Sequence, residues 1–145
     1  MDFFQLEWLQ FVFKMLVAFI LALPIGWNRE RHTRTMGIRT FPLVALGSTA
    51  YVLVSLTVLR DDLDAQARII QGLITGIGFV GGGAILKDPA GSVHGTATAV
   101  SVWTTGALGI AVAYGRFDIA IIISLVNYLT LRIMTDVKNN IHKED

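Results

Sequence analysis

Thr40-Phe-Pro-Leu-Val-Ala-Leu-Gly-Ser-Thr-Ala-Tyr-Val-Leu-Val-Ser-Leu-Thr-Val-Leu59 runs for twenty residues without a charge. At about 1.5 Å of rise per residue, a helix of this length covers the roughly 30 Å hydrocarbon layer of a bilayer. Four further apolar stretches of similar length surround it, at Leu9 to Ile25, Ile69 to Leu86, Thr96 to Tyr114 and Phe117 to Met134. The reading is an all-α membrane protein, a single domain over residues 1–145 built as a bundle of five transmembrane helices. The four-span alternative leaves one stretch re-entrant, or the glycine-rich third stretch uncrossed.

Composition agrees with a lipid environment. Apolar residues make up 53% of the chain, charged residues 16%, and mean hydropathy is +0.58. A soluble domain of this size needs more charge on its surface. Cysteine is absent, which excludes disulfides, thiolate metal sites and cysteine nucleophiles. Asp2 and Glu7, not a basic leader, precede the first apolar run, so no cleaved signal peptide is expected.

The gaps differ in charge. The first holds Arg29, Arg31, Arg34 and Arg39 against Glu30; the third holds Lys87, and Arg132, Lys138 and Lys143 close the chain. The second gap has Arg60 and Arg68 beside Asp61, Asp62 and Asp64, and the fourth has Arg116 and Asp118. Basic residues stay on the cytoplasmic side. The expected topology is therefore N-terminus outside and C-terminus cytoplasmic.

Within the stretches, Lys14 reads either as snorkelling to the outer headgroups or as a charge buried in the bundle. Pro24 and Gly26 are expected to loosen the inner end of the first span. Thr40 is a candidate N-cap, with Pro42 in the following turn. The third stretch crowds Gly72, Gly76, Gly78, Gly81, Gly82 and Gly83 into twelve residues. Gly72/Gly76 and Gly78/Gly82 have the small-xxx-small spacing of closely packed membrane helices. Three consecutive glycines also permit a break in the helix that exposes backbone groups to a ligand.

In the fourth stretch Thr98, Ser101 and Thr105 share a face, and in the fifth Ser124 and Asn127 do. Such groups serve as interhelical glue, or meet the glycine-rich helix around a polar seam. Trp103, mid-span, is expected to pack on glycines. Glu30 among arginines reads as an ion pair with Arg29, Arg31, Arg34 or Arg39 that fixes the first loop. Asp88 and His94 flank a Pro89–Gly91 turn without metal-ligand spacing, and no metal or cofactor is expected.

Four motifs taken together resemble the MgtC/SapB family of bacterial inner-membrane proteins. They are Gly26-Trp-Asn-Arg29-Glu30, Gly37-Ile-Arg39-Thr40, Gly76-Ile-Gly78-Phe-Val-Gly81-Gly82-Gly83 and Val93-His-Gly95-Thr-Ala-Thr98-Ala-Val-Ser-Val-Trp103. The match covers about residues 10–130. It departs from the family pattern in that Arg29-Glu30 stands one residue nearer its glycine, and Thr96-Ala97-Thr98 replaces Leu-Thr-Thr. Larger relatives carry a soluble C-terminal domain, whose functions are not expected here.

The resemblance implies an accessory or regulatory protein, tied to growth at low magnesium and survival inside host phagocytes. It would bind another integral membrane protein, with the ATP synthase one suggested target, or affect the ion balance of the membrane. The sequence itself supports a non-enzymatic protein whose working surface comprises the third helix, the fourth helix and the arginine-rich face. The corresponding residues are Arg29, Glu30, Arg39, Thr40, Gly76, Gly78, Gly81, Gly82, Gly83, Gly95, Thr98 and Trp103. The alternative is a small ion or solute transporter or channel working as a homo-oligomer. No nucleophile–base pair or phosphate loop supports an enzyme. The basic residues hug the bilayer, which leaves no case for nucleic acid.

Overall fold

The computed structural model describes residues 3–32 and 35–141, with side chains at 7–32 and 35–134. Arg34, a candidate partner of Glu30, lies outside the described residues, as do the side chains beyond Met134. Five helices follow in order: α1 (Phe3–His32), α2 (Thr40–Val58), α3 (Leu63–Gly82), α4 (Thr96–Ala113) and α5 (Phe117–Ile141). A two-stranded antiparallel hairpin, β1 (Leu86–Lys87) with β2 (Val93–His94), joins α3 to α4 and adds a small β element to the expected all-α design. Four helices are long and apolar enough to cross a membrane: Glu7–His32, Thr40–Val58, Thr96–Ala113 and Phe117–Met134.

The bounds of α2, α4 and the start of α5 match the sequence expectation. Those of α1 and α3 do not. α1 runs unbroken through Pro24 to His32, so Pro24 does not loosen its end and Arg29 and Glu30 sit in its last turns. The lost N–H at Pro24 removes a single ladder bond, which the turns on either side bridge. α3 begins six residues earlier than expected because the Asp62 carboxylate accepts the Ala65 N–H at 2.8 Å and caps it. It ends four residues earlier, at the glycine triplet, where Gly83 is the C-cap. The helix is therefore continuous through Gly72, Gly76 and Gly78 and stops at its glycines instead of breaking among them. Thr40 is not the N-cap of α2. Arg39 holds that position without a side-chain bond, and the Thr40 and Phe41 N–H groups donate to the Gly37 carbonyl.

α4 is the central helix and touches the other four. Its small residues allow this: Gly109 lies against the Ala45–Ser48 turn of α2, Gly106 against Ile77, and Gly81 of α3 against the Ala99 backbone. α3 thus runs antiparallel to α4. On the α5 side, Asn127 Nδ2 donates to Thr104 Oγ1 at 2.7 Å. Ser124 donates to the Leu21 carbonyl at 2.6 Å, and Phe13 meets Phe117 edge-on at 5.9 Å, so α1 and α5 are parallel neighbours. Ala18, Ala22, Ile25, Phe41, Ala45, Val102, Leu108 and Val112 fill the core between them.

The hydroxyl face of α4 is buried as expected, but it makes no polar seam with α3. Thr105 Oγ1 donates to the Ser101 carbonyl at 2.7 Å, and Asn127 of α5 supplies the interhelical bond. α3 meets α4 through Ile77 and Gly81 instead. Lys14 does not snorkel outward; its Nζ donates to the Ala113 carbonyl at 2.7 Å.

Candidate functional site

Alternation of helix direction brings the C-terminal end of α1, the N-terminal end of α2, the C-terminal end of α3 and the N-terminal end of α4 to one end of the bundle. Most of the singled-out residues gather there. At the α1–α2 corner Glu30 Oε2 accepts the Ile38 N–H at 3.0 Å. Gly37 faces this carboxylate so closely that a methyl group on it would overlap Glu30. A Cβ on Gly26 would stand 3.1 Å from the Ile38 Cα and 3.3 Å from the Gly37 carbonyl oxygen. Glu30 does fix the first loop, but by a backbone N–H. Among the described residues it forms no ion pair with an arginine. Arg39 is exposed at the head of α2, with Thr40 half-buried beside it.

Arg29 is only 5% exposed, and its Nη2 donates to Asn28 Oδ1 at 2.8 Å. Met36 Cε lies 4.0 Å from the position a Gly83 Cβ would take, so the first loop reaches the end of α3. Gly95, the N-cap of α4, has φ 86° and presses against the Ala84 carbonyl, which only a residue without a Cβ permits. Thr98 is 1% exposed, and its hydroxyl has no partner among the described residues. In the hairpin His94 Nε2 stands 3.2 Å from Asp88 Oδ2. That hydrogen bond, with one from the Ser92 N–H, holds the Asp88 carboxyl below the ordinary carboxylate range.

The remaining candidates lie elsewhere. Gly76 and Gly78, with Gly72 and Gly82, face open space: a Cβ on any of them would meet nothing within 4 Å. Among the described residues the small-xxx-small pairs therefore make no close approach. With Gly47 of α2, Gly72 and Gly76 border a groove of about 650 Å³ walled by Leu43, Tyr51, Ile69 and Val80, of which Gly78 and Gly82 are not part. Trp103 is 49% exposed and turns away from the bundle, because Ser101, Val102 and Thr105 take the inward positions of that turn. It does not pack on Gly72, Gly76, Gly78 or Gly82, where a Cβ would meet nothing within 4 Å among the described residues.

Sequence reasoning missed Gln66, a buried amide that donates to the Leu59 carbonyl at 2.7 Å and ties α3 to α2. Its neighbours Asp64 and Arg68 disguised it as loop. Among the described residues no three His, Cys, Asp or Glu side chains cluster to hold a metal ion.

No solved structure matches the chain. Relatives exist by sequence. Protein SrpB of Synechococcus elongatus is 36% identical over 138 residues, covering 88% of this chain and 76% of its own length. A protein named putative magnesium transporter YhiD, from Escherichia coli K12, is 30% identical over 130 residues, 86% of this chain and 60% of its own. Protein MgtC of Salmonella typhimurium LT2 is 31% identical over 116 residues, 80% of this chain. The matched region is 48% of that MgtC protein, so this chain spans about half of it. The family model described as MgtC family matches residues 15–140, and with four helices apolar enough to cross a bilayer the chain is a multi-pass membrane protein that belongs to the MgtC family.

Proposed function

We propose that this protein is a non-enzymatic accessory protein of the bacterial inner membrane that serves magnesium homeostasis by binding another integral membrane protein. All five helices cross the bilayer, with the N-terminus outside and the C-terminus cytoplasmic. α3 supports the fifth crossing: its 20 residues reach about 30 Å, and it lies antiparallel along α4. The excess of arginine at the first-loop end supports the orientation.

One observation carries the proposed mode of action. A Cβ on Gly72, Gly76, Gly78 or Gly82 of α3 would meet nothing within 4 Å among the described residues. Each glycine weakens a helix by about 1 kcal/mol relative to alanine, and among the described residues no contact at these positions offsets that. Close approach by a transmembrane helix of a partner would do so. The magnesium connection is supported by family membership and by the name carried by YhiD.

Gly82→Leu tests the reading, since a Cβ at this position meets nothing within 4 Å among the described residues. The variant should insert and melt like the wild type, yet lose the membrane proteins that co-purify with it in mild detergent and fail to support growth at low magnesium. Undiminished co-purification by a well-inserted Gly82→Leu protein counts against the proposal. The transporter reading, for which the name of YhiD speaks, predicts magnesium flux into liposomes holding this protein alone.

A further inference from the structure

At the Arg29 end, a cleft of about 420 Å³ opens between α1 and α5, lined by Trp27, Asn28, Arg31, His32, Tyr128 and Arg132. Three of these six side chains are basic or can become so, and none is acidic. The Arg31 guanidinium lies 4.9 Å over the Trp27 ring, and Arg132 Nη1 donates to the Tyr128 oxygen at 3.3 Å. Both guanidinium groups are thus held in place by neutral aromatic groups that do not cancel their charge. Neither pairs with a carboxylate among the described residues. His32 Nδ1 stands 2.7 Å from the Asn28 carbonyl oxygen. A carbonyl can only accept, so Nδ1 carries the hydrogen and Nε2 is left for another contact.

Complementing the helix dipole does not account for this arrangement. Arg31 and His32 do end α1, but Arg132 lies more than two turns before the end of α5 at Ile141. A general basic anchor does not require two arginines from different helices to converge on one cleft. Convergent, oriented guanidinium groups recognise phosphate oxygens. Trp27 and Tyr128 are the aromatic types that sit at headgroup depth.

From this we infer that the α1–α5 cleft binds a phosphate-bearing anion, with the headgroup of an anionic phospholipid as its source. The inference is independent of the α3 docking face.

The test is native mass spectrometry of the full chain released from detergent with phosphatidylglycerol, phosphatidylcholine or inorganic phosphate. The wild type should retain phosphatidylglycerol about tenfold better than phosphatidylcholine, and Arg31→Gln and Arg132→Gln should each lower that retention about fivefold. Arg60→Gln, at the other end of the bundle, is the charge-matched control. A matching thermal transition establishes that each variant is folded. Retained lipid that millimolar phosphate fails to displace supports the headgroup. Binding of phosphate itself, lost in the same two variants, supports the same cleft with a soluble source. Equal retention of the two lipids with no phosphate binding, or an Arg60→Gln loss as large as that of Arg132→Gln, overturns the inference.

Discussion

Lys14 Nζ and the carbonyl oxygen of Ala113 stand 2.7 Å apart, joining α1 to the last residue of α4. The end of α4 shows why this bond matters. Its final turn closes on Gly115 at φ 73°, with the Gly115 N–H on the Val112 carbonyl and the Arg116 N–H on the Ala111 carbonyl. The Tyr114 N–H takes the Ile110 carbonyl. Ala113 is the remaining acceptor of the turn, and Lys14 supplies its donor. Lys14→Met keeps the apolar stem and removes the N–H. It should lower stability in detergent by about 1–3 kcal/mol, the penalty for an unmet buried acceptor. A Lys14→Met protein that melts with the wild type would show the bond to be dispensable.

Glu30 and Gly37 should behave as a coupled pair. Gly37→Ala places a methyl group on the Glu30 carboxylate and 3.1 Å from the Glu30 Cα. Glu30→Ala removes the carboxylate and leaves the Ile38 N–H without its acceptor. Gly37→Ala is expected to destabilise by about 1–3 kcal/mol, and Glu30→Ala, which breaks an exposed hydrogen bond, by about 0.5–1.5 kcal/mol. The double variant should fall short of their sum by about 1 kcal/mol, because the overlap disappears with the carboxylate. Strict additivity in thermal unfolding would separate the two residues. Glu30→Gln retains an oxygen acceptor and should lie close to the wild type.

How much of this was legible beforehand differs by element. The uncharged run of Thr40–Val58 leaves no other reading, and the motif glycines Gly26, Gly37 and Gly95 do mark close approaches. The register of α3 was hidden because Asp62, Asp64 and Arg68 look like loop by composition. They become a helix start only when Asp62 folds back on the Ala65 N–H. Glu30 was rightly given a loop-fixing role, but its partner is a main-chain group that side-chain types do not reveal. Trp103 was misplaced because the fourth stretch is small and apolar all round, so its inward face is set by the packing of Gly106 and Gly109 and not by amphipathicity. Which glycines of α3 face away from α4 is set by how the helix is turned in the bundle, with Ile77 and Gly81 inward, which spacing alone cannot express.

The glycines of α3 should divide by environment. Gly76→Ala adds a methyl group in open space and should raise stability by about 0.5–1 kcal/mol through helix propensity. In Gly81→Ala the new Cβ would lie 2.9 Å from the Ala99 carbonyl oxygen, a backbone atom that cannot move aside alone. That change should destabilise by about 1–3 kcal/mol. Thermal unfolding of the two variants side by side is the check, and a shared direction of change would contradict the packing described. A Gly76→Ala protein that is more stable yet less able to hold its partner would link the open glycines to binding.

Asp88 gives the hairpin a defined acid limit. The hydrogen bond from His94 is the largest cause of its lowered pKa, and the Ser92 N–H adds to it. A carboxylate favoured by folding contributes fully above its unfolded value of about 3.9, and that contribution is lost as pH falls through the lower folded value. On Asp88's account, amide protection at Ser92 should therefore hold steady from pH 7 to about 5 and fall only below about 4. Asp88→Asn keeps an oxygen for the Ser92 N–H but has no proton to gain, so its acid step should vanish. Hydrogen exchange at Ser92, expressed as a protection factor, reads both outcomes. A loss of protection that begins well above pH 5 and survives in Asp88→Asn would remove the carboxylate from the account.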